Sequence, residues 1–208
     1  MNRRSRFVAV LAVLASVALP VLAEMEVFTF DKAHTLIGFR VRHIFTKVEG
    51  RFKSFDGTIW IDRQNPAASR VELTIPAASI DTANENRDND LRSPNYFDVA
   101  KFPTITFKSA KIEPKGSDLY EVTGEFSLHG VTKTIRVPVK HMGFGKAGKT
   151  EKAGFEVSFP ISRKEYGITS GGAIVGDEVE INIQVEANKQ GPEEAKPAAP
   201  AAPTPGKS

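Results

Sequence analysis

Across 26–188 the chain alternates apolar and polar residues with a period of two, the repeat that sends neighbouring side chains to opposite faces of a β-strand. Ile37, Phe39 and Val41 alternate with Gly38, Arg40 and Arg42, and Val71, Leu73 and Ile75 alternate with Arg70, Glu72 and Thr74. The same pattern returns in Tyr120, Val122, Phe126 and Leu128, in Ile135, Val137 and Val139, in Phe155, Val157, Phe159 and Ile161, and in Val179, Ile181, Ile183 and Val185. One apolar and one wet face per strand indicates antiparallel pairing. Connections at 115–118, 129–130 and 145–154 predict hairpins. Within 48–62 the alternation slips by one place between Phe52 and Phe55, which predicts a β-bulge that bends the strand. With 27–31 and 104–112 the count reaches eight or nine strands. The predicted fold is therefore all-β, either an antiparallel up-and-down barrel or a sandwich, and the long strands with local connections favour the barrel.

One segment, 80–107, interrupts the alternation with a charge-dense, helix-compatible run. Ser93 followed by Pro94 predicts a helix start there, with the Ser hydroxyl capping free amides and Pro at the first helical position. Tyr96, Phe97 and Val99 would lie on that helix, and Pro103 would end it. The preceding 84–92, in which Leu91 is the main apolar residue, reads as a surface helix or a lid. Among short turns, such an insertion lies over or beside one barrel mouth. Arg87 and Arg92 offer paired donors that could clamp a phosphate or carboxylate head group. Alternatively they pair with Asp88, Asp90 or Asp98 and pin the segment.

The two ends change the picture of charge. The first 23 residues have a basic start (Arg3, Arg4, Arg6), an apolar run and a small-residue site at Val21-Leu22-Ala23, the pattern of an export signal. They hold three of the 28 Lys and Arg and none of the 25 Asp and Glu, so the rest of the chain is formally neutral and nothing points to nucleic acid. There is no cysteine, which removes disulfides and thiol chemistry. Residues 189–208 are rich in Ala and Pro and read as an extended, disordered tail beyond a domain at 24–188. His34, His43, His129 and His141 lack the close paired spacing of a helical zinc site, and no nucleophile elbow or phosphate-binding loop occurs, so neither a metal nor a cofactor is expected. Trp60 falls on the outward pattern and marks either a dimer face or a site covered by the helical segment.

An eight-stranded barrel is just wide enough to be filled by its own side chains or to hold one slim ligand. The inward candidates are Phe39, Val41, Phe52, Ile59, Leu73, Phe107, Val122, Phe126, Ile135, Phe155, Val157 and Phe159, which would form a core or, collectively, the wall of a tube.

The motifs carry a resemblance. They comprise Asp31-Lys32-Ala33-His34-Thr35, the strand from Phe39 to His43, Gly50-Arg51-Phe52, Phe55-Asp56-Gly57, Ile80-Asp81-Thr82, Arg87-Asp88, Leu91-Arg92-Ser93 and Tyr96-Phe97-Asp98. They continue in Phe102-Pro103-Thr104-Ile105-Thr106-Phe107, His129-Gly130-Val131-Thr132-Lys133, Ile161-Ser162-Arg163, Tyr166-Gly167-Ile168 and Val175-Gly176-Asp177-Glu178-Val179. In this order they resemble the YceI-like family, over nearly the whole domain. The resemblance implies a lipocalin-like barrel in the bacterial periplasm, often dimeric, whose elongated apolar channel binds a polyisoprenoid or similar long-chain lipid. His43, Arg87, Leu91, Arg92 and Phe97 then join the inward set as ligand-binding candidates. Asp90 stands where the family commonly has His, and the Ala/Pro tail lies outside the usual domain.

The expected function is non-enzymatic carriage of a long-chain isoprenoid or fatty-acyl lipid, with a homodimer as a possible assembly. Two other classes fit the residues: a lipocalin-like enzyme using His34, His43 and nearby carboxylates, and a stress-related interaction module using the outer faces and the tail.

Overall fold

The structure is a computed structural model and describes residues 25–191. The export signal and all but the first residues of the predicted tail lie outside the described residues. Eleven strands form one antiparallel sheet: β1 (Glu26–Phe30), β2 (Leu36–His43), β3 (Thr46–Phe52), β4 (Asp56–Ile61), β5 (Arg70–Pro76), β6 (Ile80–Asp81), β7 (Thr104–Pro114), β8 (Leu119–Leu128), β9 (Val131–Ala147), β10 (Thr150–Ser162) and β11 (Val175–Lys189). The single described α-helix, α1, spans Glu85–Arg92.

Register reduces eleven strands to eight. Against β11, Phe30 of β1 faces Ala187 and Leu36 of β2 faces Gln184, so β1 and β2 are consecutive halves of one bent strand. Their partners β4 and β3 are likewise halves of a second, and β5 with β6 of a third, because Ile80 returns to pair with Phe52. Pairing of β11 with both β1 and β2 closes the sheet into an eight-stranded up-and-down barrel. Closure removes exposed strand edges, the usual liability of an antiparallel sheet.

The slip between Phe52 and Phe55 is a full break in the strand. Residues 53–55 leave the ladder, the Lys53 amide donates to the Ser79 carbonyl, and both phenylalanines remain buried. Two inward residues of opposite parity can share a core only if the strand is interrupted between them. The hairpin predicted across 145–154 is shorter than expected: β9 and β10 run to Ala147 and from Thr150, leaving a turn of Gly148, at φ +62°, and Lys149. A register shift at Gly154–Phe155 bends this long ribbon.

The surface helix expected over 84–92 forms, but the helix expected from Ser93 does not. α1 begins after Asn84, whose side chain accepts from the Arg87 amide, and it ends at Ser93, whose amide donates to the Asp90 carbonyl. Ser93 thus caps the C-terminal end, and Pro94 follows where a helix cannot continue. Tyr96, Phe97 and Val99 lie on a turn folded back on the helix, with Phe97 N bonded to Leu91 O and Val99 N to Arg92 O.

One part of the interior is packed solid around Phe28, Phe55 and Ile80. Outside this core a polar corner joins β1 to β2. There Asp31 accepts from Lys152 Nζ at 2.8 Å, His34 Nδ1 lies 3.0 Å from it, and Lys152 also bonds Glu186. The Lys152 ammonium, with His34 second, holds the Asp31 carboxyl far below its ordinary value. A depressed carboxylate contributes stability that is fully present above its unfolded pKa, declines as pH falls below that value and is gone once pH has fallen through the lower folded pKa. The urea midpoint should therefore be flat down to about pH 5 and drop below about pH 4, and Lys152→Met should reduce the drop. An equally steep acid drop in the variant would remove this corner as the cause.

Candidate functional site: an apolar tube through the barrel

Opposite the packed wall the barrel is hollow. A cavity of about 450 Å³ extends through the barrel, from Leu91, Tyr96 and Phe97 at the α1 end to Asp62, Arg63 and Phe144 at the other, the β9–β10 end. Its wall includes the predicted Phe39 and Val41 of β2, Phe52 of β3, Ile59 of β4, Leu73 of β5, Phe107 of β7, Val122 and Phe126 of β8, and Phe155, Val157 and Phe159 of β10. Many of these side chains are only half-buried although they point inward. The alternation that marked them is a strand property. The hollow is a property of how eight strands splay apart.

Glycine shapes part of this wall. Gly50 lies opposite Phe39 in the β2–β3 ladder, and a Cβ there would come 2.3 Å from the Phe39 ring. The missing side chain lets Phe39 lie across β3 and meet Phe52 with ring centroids 5.8 Å apart.

At the α1 end, Leu91, Tyr96 and Phe97 reach the cavity, and Phe97 packs edge-on against Phe52 at 6.0 Å. These three side chains plug the mouth from a segment otherwise made of polar residues. Arg163, also at this end, is 5 % exposed and donates to four backbone carbonyls: Gly176 at 2.8 Å, Ile168 at 2.8 Å, Ser170 at 2.6 Å and Val175 at 3.1 Å. One planar fork thereby organises the whole β10–β11 connection.

Four predicted ligand contacts lie outside the lining. His43 is exposed at the β2–β3 turn, and Ile135 has inward parity on β9 but is not among the residues that line the hollow. Arg87 donates to Thr82 Oγ1 at 2.7 Å and to the Thr82 carbonyl at 2.8 Å. Arg92 donates to the carbonyls of Ala78 and Ile80, both at 2.8 Å, and to Asn89 Oδ1 at 3.1 Å. Both guanidinium groups pin the insertion, but through backbone carbonyls and Thr82 rather than through the aspartates of the alternative reading. Asp88 instead is buried and accepts from the amide and hydroxyl of Thr82. Arg92→Ala should therefore lower unfolding free energy by about 1–3 kcal/mol in urea titrations, because it strips a charged donor from two carbonyls. A loss of ligand affinity at unchanged stability would restore the head-group role.

The opposite end carries polar groups, of which the strand pattern singled out Tyr120 alone. Asp62, Arg63, Ser69, Tyr120, His141 and Phe144 all line the cavity there. Arg63 stacks on Phe144 at 3.8 Å, donates to Glu26 at 2.5 Å and also bonds Glu151. Lys189 bridges the same two carboxylates. The His141 ring lies between Phe144, at 4.6 Å, and Phe155, at 5.2 Å. Burial pushes its pKa below the ordinary imidazole value, against the pull of the Asp118 charge. His141 shares the parity of Val137 and Val139, so its inward position was legible; the pairing of Arg63 across three strands was not.

The histidines offered for catalysis do not converge. His34 lies in the turn before β2 and His43 at the far end of that strand, about 25 Å or more apart at the rise of an extended strand. Asp31, His34 and Glu186 come close enough together to bind a metal ion, but the Lys152 ammonium already bonds both carboxylates. Trp60 faces outward, half-buried, with Arg70 stacked on its ring at 4.2 Å.

A closed eight-stranded barrel with an apolar tube and a short helical plug at one mouth is a lipocalin-like architecture. Residues 28–187 match the YceI-like domain, and the chain belongs to that family. It is 40 % identical over 161 residues to Protein YceI of Salmonella arizonae, covering 76 % of this chain and 83 % of that one. The crystal structure of Burkholderia cenocepacia BcnA superposes with a TM-score of 0.68 at 28 % identity, over 76 % of this chain and 98 % of that one. A polyisoprenoid binding domain from Saccharophagus degradans has the same fold, with a TM-score of 0.61 at 16 % identity, over 80 % of this chain and 100 % of that one. No helix among the described residues is long and apolar enough to cross a membrane.

Proposed function

We propose that this protein is a non-enzymatic, periplasmic binding protein that carries a long-chain isoprenoid or similar amphiphilic lipid in the barrel. The observation that carries this reading is the tube itself. Its mid-section is lined by aliphatic and aromatic side chains from β2, β10 and β11, and its volume of about 450 Å³ lies in the range of small-molecule sites. A flexible chain entering it gains about 0.8 kcal/mol for each methylene taken from water, so a long prenyl or acyl chain needs few polar contacts. Membership in the YceI-like family and the fold shared with a polyisoprenoid binding domain support the same ligand class. The export-like start of the chain supports a periplasmic location. A homodimer through the face bearing Trp60 is part of the proposal.

Mass spectrometry of an organic extract of the protein purified from its native host tests the reading. A stoichiometric prenyl or acyl lipid is expected. A lipid-free protein that also fails to take up prenols or fatty amides in titrations would overturn it.

A further inference from the structure

A long-chain lipid resides in a bilayer before it reaches the tube, and one mouth of the barrel carries a feature suited to that exchange. The β2–β3 turn ends in Ile44 and Phe45, and Phe45 is 97 % exposed, the highest value of any large apolar residue described. Ile174, 51 % exposed, is tied to Ile44, whose amide donates to the Ile174 carbonyl at 2.9 Å. Ile44 takes φ +50°, a left-handed conformation that a β-branched residue rarely adopts, and Arg42 Nη1 donates to its carbonyl at 3.1 Å. Held from both sides, the turn keeps three apolar side chains in water.

The tip stands at the plugged end of the tube. Ile174 precedes Val175, a lining residue that pairs with His43, and it belongs to the connection that Arg163 organises. In that connection Gly171 approaches the plug so closely that a Cβ on it would come 3.2 Å from the Tyr96 hydroxyl. The turn itself is cationic, since 42–47 holds Arg42, His43 and Lys47 and no acidic residue. On the neighbouring β11, Glu180 pairs with Arg40 and Lys47, and Asp177 accepts from the Ser162 hydroxyl and the Lys164 amide, which leaves the exposed Glu178 to offset Arg42. An exposed aromatic knob with a basic flank suits the boundary between head groups and acyl chains, where the ring leaves water and the cation meets phosphate. Three side chains fall far short of the roughly 20–30 residues a side of a stable protein interface, whereas a bilayer needs no complementary shape.

We propose that the β2–β3 tip is a membrane-docking finger. Phe45, Ile44 and Ile174 enter the interface of an anionic phospholipid bilayer while Arg42 meets its phosphates, and the α1 mouth is thereby set against the lipid it takes up. Transfer at that mouth rests on the lipid-binding reading above, whereas docking rests on the tip alone.

Flotation with vesicles of phosphatidylcholine, with and without phosphatidylglycerol, tests docking, and geranylgeraniol loaded into the same vesicles tests transfer. Phe45→Ser should weaken vesicle binding about tenfold or more, the value of one phenyl ring taken from water, at an unchanged melting temperature because the ring is almost wholly exposed. The same substitution should slow uptake of geranylgeraniol from vesicles by a similar factor while leaving affinity for the dispersed prenol unaltered. Arg42→Gln should weaken binding to the phosphatidylglycerol vesicles about fivefold and to pure phosphatidylcholine little. In a Trp60→Phe background, Phe45→Trp should report insertion as a blue shift of its emission when vesicles are added. Equal vesicle binding by Phe45→Ser, no blue shift, or a Phe45-dependent dimer without vesicle binding would overturn the docking finger while leaving the tube reading intact. Phe45-dependent vesicle binding with no uptake of the prenol from any source would sustain docking and overturn the tube reading.

Discussion

Replacing Val157 and Ile181 together by Trp is expected to abolish lipid capture while the protein stays folded. Val157 stands opposite Ile183 on β11 and Val139 on β9, and Ile181 stands opposite Phe159 on β10 and Phe39 on β2. All six side chains line the tube, and both targets are only half-buried because they face the hollow. Two indoles would occupy the space that a chain otherwise fills. Excluding about four methylenes of ligand forfeits about 3 kcal/mol, or more than a hundredfold in affinity. Added volume in a packed core costs about 1–3 kcal/mol, but here it enters open space, so thermal stability should hold. Ile80→Trp is the contrast: Ile80 is 0 % exposed in the packed part of the core and does not line the hollow, so the same enlargement there should destabilise. Native mass spectrometry of the holo fraction, alongside melting curves, checks both. Undiminished affinity in the doubly substituted protein would place the ligand outside the tube.

Arg163→Ala should be the most destabilising single substitution at the α1 end, at about 3–5 kcal/mol. The cost lies less in the bonds themselves than in the carbonyls of Gly176, Ile168, Ser170 and Val175, which lose a charged donor in a site that water scarcely reaches. Against the 5–15 kcal/mol typical of a whole domain this is a large fraction. Arg163→Lys should recover little, because an ammonium cannot span four acceptors as a planar fork does. Urea unfolding gives the magnitude, and hydrogen exchange should localise the loosening to 168–176, where Ile168 and Val175 also line the cavity. A drop under about 1 kcal/mol would show that the connection holds its shape without the arginine.

The parity of side chains along each strand is a local property, and it was legible. Phe39, Leu73, Val122 and Phe159 point inward because a strand alternates, whatever it pairs with. The break near Phe52 and Phe55 was legible for the same reason, since two large apolar residues of opposite parity cannot both be buried in an unbroken strand. Of the two helical readings, the surface helix over 84–92 formed and the one starting at Ser93 did not, because the Tyr96–Phe97 turn folds back on the first to fill the mouth. Which inward residues reach the hollow was not legible either. Ile135 has the right parity yet does not line it, whereas Arg63, in a connection with no periodicity, reaches the tube because Glu26 and Glu151 arrive beside it from β1 and β10.

By itself, then, the amino-acid order determined an all-β chain, the inward face of most strands and the family to which it belongs. Closure of β11 onto β1 and β2, the hollow beside a solid wall, and the meeting of Ile44 with Ile174 at one mouth were decided only in three dimensions. Each depends on contacts between residues more than a hundred positions apart or on space left between strands, and neither leaves a periodic trace in the sequence.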